Sequence, residues 1–192
     1  LGGTFDPPPF GHLALAGAAR DQLALDQVLW IVTGDPPHKD DSISPVEARL
    51  ALVAAAIAGQ PRFAVSRAEV DRPGPHYAVD TVALLSAQHP ADDLIYLMGG
   101  DSLRDLPTWG RPRELLAHCT LGVLRRPGDH VDLEALEVPL PGISHQVAFI
   151  EIPLLPVSAS QVRRRVAAGL PIAGLVPPVV ADLILALGLY RA

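Results

Sequence analysis

A chain of 192 residues is long enough to bury a sizeable core as a single domain without metal or disulfide support. Its formal net charge of -6 and pI of about 5.6 exclude the broad basic surface that nucleic acid requires, so an anionic ligand has to be held by a local constellation. The single cysteine, Cys119, excludes an internal disulfide and fits a reducing cytoplasm, and no signal peptide is visible.

The chain begins with its most informative stretch, Gly2-Gly3-Thr4-Phe5-Asp6-Pro7-Pro8-Pro9-Phe10-Gly11-His12. Two glycines and a terminal Gly-His feed into a helical pattern, a junction suited to phosphate. Glycines let the backbone approach a triphosphate, a helix start presents N–H groups and partial positive charge, and His12 adds a donor. A glycine turn before a helix is weak evidence by itself, because glycine there can simply permit a tight turn. The sequence opens on Leu1 where a strand should be ending, so the first strand is expected to lie before Leu1.

Helical and strand-like segments then alternate, which predicts a parallel sheet with helices on both faces. Leu13 to Leu25 carries apolar residues at helical spacing and Gln27 to Thr33 reads as a strand. Gly34 to Lys39 is a loop at that strand's C-terminal edge, where open α/β sheets bind ligands. Ser44-Pro45-Val46-Glu47 reads as a capping box with proline at the first helical position, launching a helix to about Ala58. Arg62 to Arg67 is a short strand, Tyr77 to Gln88 a helix, and Asp93 to Met98 a buried strand ending in a second glycine turn, Gly99-Gly100-Asp101-Ser102.

Strands follow at Cys119 to Leu124 and Gln146 to Ile152. Pro156 to Ser160 then caps a helix from about Gln161 to Ala168, which Gly169 stops. The apolar tail from Leu170 to Leu189 reaches membrane-spanning length, but Pro171, Pro177, Pro178 and Asp182 interrupt it, so a buried terminal helix from Pro178 to Leu187 is expected, and no membrane.

Ser158, Ser160 and Arg163 stand at the start of the late helix, where hydroxyls, N–H groups and a guanidinium can converge on an anion. The alternative makes Ser158 an ordinary cap and Arg163 to Arg165 a solvated face. His76, His89, His118, His130 and His145 lack metal-ligand spacing, so no protein-held metal is expected.

Here the motifs become specific. GGTFDPPPFGH resembles the GGTFDPxHxGH signature of the nucleotidyltransferase superfamily, and VSASQVR at 157–163 resembles its late ISxTxxR motif. GDPPHK at 34–39, PHYAVDT at 75–81, GGDSL at 99–103 with PTW at 107–109, RRPG at 125–128 and GLYR at 188–191 follow in the order found in bacterial nicotinate-nucleotide adenylyltransferases, across essentially the whole chain. The resemblance implies a Rossmann-like doubly wound fold and AMP transfer from ATP to nicotinate mononucleotide. It places Gly3, Thr4, Phe5, His12, Gly100, Asp101, Ser158, Ser160 and Arg163 around ATP, with His12, Ser160 and Arg163 on the reacting phosphates. Lys39, Tyr77, Ala78, Asp101 and Trp109 fall to the mononucleotide, Trp109 offering a face for the ring. Mg²⁺ would ride on the triphosphate, since it dehydrates reluctantly and needs few protein ligands. The resemblance leaves a homo-oligomer open.

One departure stands out. The signature has two histidines, and the first falls at position 9, where this chain has Pro9. Proline supplies neither donor nor charge, so either turnover is weakened, the sequence is an altered one, or Lys39 or a water fills the role. Ser160 for the usual Thr is milder, keeping the hydroxyl. Two alternatives therefore stand beside the main reading: a nucleotide-binding protein with little turnover, and pantetheine-phosphate adenylyltransferase, against which PHYAVDT, PTW and the chain length argue.

Overall fold

The computed structural model describes residues 1–34, 43–125, 130–152 and 155–191. Six parallel strands form two three-stranded sheets. The first, ordered β1-β2-β3, joins β1 (Gly2–Gly3), β2 (Val28–Val32) and β3 (Phe63–Ser66); the second, ordered β4-β5-β6, joins β4 (Ile95–Gly99), β5 (Thr120–Arg125) and β6 (Val147–Glu151). The tip of the Tyr96 side chain, from β4, reaches Gly2, where a Cβ would stand 3.7 Å from its hydroxyl. In each sheet the chain steps in order to the next parallel strand, and ligands of such open α/β sheets bind beyond the strands' C-terminal ends.

Each strand feeds a helix, α1 (Phe10–Gln22), α2 (Val46–Ile57), α3 (Ala78–Gln88), α4 (Gly100–Asp105), α6 (Leu133–Glu137) and α7 (Ala159–Ala167) in turn, while α5 (Pro112–His118) follows α4 and α8 (Pro178–Ala186) follows α7. Successive β residues point to opposite faces, and both faces are buried. On β5, Leu121 and Val123 join one core with Val79, Leu103 and Leu115, while Leu124 joins the other with Trp30, Leu52, Val162 and Ile184. Gly122 lies between, with Leu97 and Ile150 crossing the space that a side chain there would fill.

Several expectations are corrected. The last rungs of the first strand lie within the chain: Gly2 and Gly3 pair with Ile31 and Val32, so both are strand, where a turn was expected. There is no capping box at Ser44. Pro45 is itself the residue at the cap of α2, which puts Glu47 one position too early to reach back; Glu47 instead pairs with Arg67 at 3.0 Å, and the Ser44 amide goes to Asp6. The second glycine turn is absent too, because β4 passes straight from Gly99 into α4 at Gly100.

Helices α5 and α6 were not foreseen. Helix α8 buries only one side, with Val180 and Ile184 inside while Val179 and Leu185 are about half exposed. Among the described residues no helix is long and apolar enough to cross a membrane. At the open edge of the second sheet, the Gln22 carboxamide exchanges two hydrogen bonds with the Glu151 backbone, donating to its carbonyl at 2.8 Å and accepting from its N–H at 3.1 Å.

Candidate functional site

Strand β1 delivers the N-terminal loop to the crevice. Phe5 has a positive φ of 50° and is 2 % exposed; its ring packs on Trp30 at 5.2 Å and edge-on to His12 at 5.1 Å. A Cβ on Gly3 would lie 3.0 Å from that ring, so this glycine makes room for Phe5.

Asp6 and Arg49 hold the loop from beneath. Asp6 is 4 % exposed, and its carboxylate accepts from the Tyr190 hydroxyl at 2.6 Å and the Ser44 N–H at 3.2 Å. The equally buried Arg49 donates to four carbonyls, those of Ser44, Thr4, Thr33 and Gly34, at 2.7–3.2 Å. One guanidinium thus ties the ends of β1 and β2 to the start of α2 through four backbone carbonyls.

Pro9 takes the cap position of α1 with extended backbone and no side-chain hydrogen bond. Of the first-turn amides, that of Phe10 is taken by the Leu175 carbonyl and that of His12 by Pro9, which leaves the Gly11 N–H. The helix start is less open to an anion than the glycine-helix pattern suggested. The His12 Nδ1 atom is buried with no partner. Burial pushes the imidazole pKa down to about 4, so the ring is neutral near pH 7.

A cleft of about 240 Å³ opens here, walled by Pro9, Gly11, His12 and Leu15 of the N-terminal segment, Gly99, Gly100 and Asp101 at the β4–α4 junction, and Val157, Ser158 and Ala159 at the start of α7. Ser158 caps α7, its Oγ accepting from the Gln161 N–H at 3.2 Å and lying 3.1 Å from Ser160 Oγ. Arg163, one turn on, reaches the Asp6 carbonyl with Nη1 at 2.7 Å.

The structure thus gathers His12, Gly100, Asp101 and Ser158 on one cleft, with Ser160 adjoining through Ser158 and Arg163 joined to the N-terminal loop. Gly3, Thr4 and Phe5 stand behind the cleft and do not wall it. The Asp101 carboxylate pairs with Arg104.

Tyr77, Ala78 and Trp109 form a second group. Tyr77 is half exposed at the cap of α3, where no side chain caps the amides of the first turn, and a Cβ on Gly110 would touch its ring at 3.4 Å. Trp109 is half-buried, edge-on to Tyr96 at 6.1 Å. Tyr96 in turn borders Gly2, which places this group next to the β1–β4 junction. Its hydroxyl is pushed up to about 12, chiefly by burial. Lys39, with most of the loop expected at 34–39 and most of the RRPG motif, lies outside the described residues.

Sequence reasoning passed over Asp6, Arg49 and Tyr190. Arg49 left a signal, since a lone cation within the apolar run of α2 has to find buried acceptors. Among the described residues no group of three His, Cys, Asp or Glu could hold a metal ion. Burial pushes the Cys119 thiol up to about 12, which keeps it protonated and unreactive.

Parallel α/β layers and two helix starts facing one cleft define a Rossmann-like architecture. The model of the cytidylyltransferase-like family matches residues 1–165. A relative in Thermomicrobium roseum, described as a probable nicotinate-nucleotide adenylyltransferase, is 44 % identical over 192 residues, covering 100 % of this chain and 90 % of its own. One of the same description in Thermus thermophilus is 40 % identical over 191 residues, covering 100 % and 97 %. The chain belongs to the cytidylyltransferase-like family, among the nicotinate-nucleotide adenylyltransferases. In fold it is similar to the Plasmodium falciparum nicotinic acid mononucleotide adenylyltransferase complexed with NaAD, with a TM-score of 0.78 at 17 % identity over 98 % of this chain and 94 % of that one.

Proposed function

We propose that this protein transfers AMP from ATP to nicotinate mononucleotide, giving nicotinate adenine dinucleotide and pyrophosphate. The observation that carries the reading is the cleft itself: a neutral imidazole with an unpartnered nitrogen at the start of α1 shares it with the serine-capped start of α7. The chain's full-length likeness to adenylyltransferases of this name supports the choice of substrates.

In the reaction, a phosphate oxygen of the mononucleotide attacks the α-phosphorus and the bond to the β-phosphate oxygen breaks. The attacking oxygen is already ionised, so no general base is required, and catalysis rests on alignment and charge stabilisation. The Gly3–Phe5 backbone and the Gly100–Asp101 segment would flank the adenylate, His12 would donate to the reacting phosphates, and Ser158, Ser160 and Arg163 would hold the β and γ phosphates. Mg²⁺ would arrive with the triphosphate and lower the charge on the leaving pyrophosphate. The uncapped start of α3 at Ala78 suits a nicotinate carboxylate, with Trp109 and Tyr77 beside the ring and Lys39 near the phosphate.

Pyrophosphate release with ATP and either mononucleotide tests this. The acid should be the better substrate by about tenfold or more, because an amide NH₂ meets backbone N–H donors unfavourably. Trp109→Ala should raise KM for the mononucleotide and leave that for ATP nearly unchanged. Equal use of nicotinamide mononucleotide, or turnover only with 4'-phosphopantetheine, would overturn the reading. ATP binding without product would favour the binding-only alternative, to which Pro9 at the cap of α1 lends weight.

A further inference from the structure

Asp6 is where three distant parts of the chain meet. Its Oδ1 accepts from the Tyr190 hydroxyl at 2.6 Å, its Oδ2 from the Ser44 N–H at 3.2 Å, and its backbone carbonyl from Arg163 Nη1 at 2.7 Å. The next residues, Pro7 to Pro9, lead into the first turn of α1 with Gly11 and His12. Whatever fixes Asp6 therefore fixes both the loop that enters the cleft and the guanidinium assigned to the phosphates.

Tyr190 reaches this position by an unusual route. After α8 the chain turns at Gly188, with a φ of +63°, and Tyr190 itself has a φ of +61°, a conformation costly for a residue with a Cβ unless the surroundings hold it. Packing of its ring on the core and the hydroxyl bond to Asp6 hold it there. We propose that Tyr190 is a positioning residue for the triphosphate end of the site, acting through Asp6 on Arg163; the inference rests on the adenylyl-transfer reading. Removing the hydroxyl leaves a buried carboxylate oxygen without its donor. With the Asp6 side chain released, the backbone carbonyl to which Arg163 Nη1 is tied is no longer fixed, and the guanidinium loses its aim at the phosphates.

Tyr190→Phe keeps the ring and removes only the hydroxyl. In steady-state kinetics KM for ATP should rise about threefold to tenfold, with KM for nicotinate mononucleotide moving less than twofold. Asp6→Asn should give the same ATP-selective rise, and adding Tyr190→Phe to it should change little further, because both act on one contact. If Tyr190→Phe shifts both KM values alike, or lowers only the melting temperature, the tyrosine is packing and the proposal is overturned. Should Tyr190→Phe fold poorly, Asp6→Asn alone decides by the same ratio. Calorimetry with ATP, without the second substrate, separates this from failure of the reaction assignment. A parent that binds ATP but forms no product refutes the assignment, and the ratio of ATP dissociation constants between parent and Tyr190→Phe still decides the role of Tyr190.

Discussion

Arg163 and Asp6, 157 positions apart, are joined by a 2.7 Å hydrogen bond from guanidinium to backbone carbonyl. One of the five N–H donors is thereby committed to the N-terminal loop. Arg163→Ala should lower kcat/KM for ATP by about tenfold to a hundredfold, the scale of one charge-assisted contact, with a smaller effect on the mononucleotide. Steady-state kinetics with each substrate varied in turn provides the check; unchanged ATP kinetics would return Arg163 to the solvated face.

Arg49 is a matter of stability. Arg49→Met fills much of the same volume but removes a buried guanidinium's hydrogen bonds to four carbonyls, so unfolding free energy should fall by about 3–5 kcal/mol in urea titrations. A loss below about 1 kcal/mol would mean that water enters to replace the guanidinium.

His12 links folding to pH. Its folded pKa of about 4 lies below the ordinary imidazole value of 6.5, so the unfolded chain binds the proton first as pH falls. The stability contribution is whole above about pH 6.5 and lost progressively toward pH 4, up to about 3 kcal/mol in all. His12→Gln should flatten the dependence of the denaturation midpoint on pH between 7 and 4.5 relative to the parent. Identical slopes would refute the burial argument.

Pro9 tests the departure from the family signature. Its backbone, at φ -79° and ψ 170°, is extended and open to any residue, so Pro9→His introduces an imidazole without forcing the turn. Turnover should rise by up to about 10²-fold with a smaller change in ATP affinity, because such a donor acts most as charge develops. Pro9→Ala controls for stiffness: rescue by alanine equal to that by histidine would assign the deficit to the turn.

The alternation of strands and helices was legible because apolar residues in β2, β4 and β5 run continuously and those in α1 to α3 recur at helical spacing. The cleft-facing pairing of Gly11-His12 with Ser158 was legible because helix starts carry local signatures. Helices α5 and α6 span 7 and 5 residues, too short to establish a period. The Ser44 misreading came from a one-residue shift, with Pro45 taking the cap. The Asp6–Tyr190–Arg163 junction was beyond local reasoning, since its bonds cross 184 and 157 positions and neither partner signals the other in sequence.

The Gln22–Glu151 pair gives the second sheet a stopper. Unpaired rims of sheets invite strands from other molecules. Here a side-chain amide imitates the missing neighbour at the last rung of β6, offering one donor and one acceptor in register. A glutamate would lack the donor and an asparagine the length. A second copy adding its own strand along β6 would have to evict Gln22 first, so self-association by extending the second sheet is opposed at this rung.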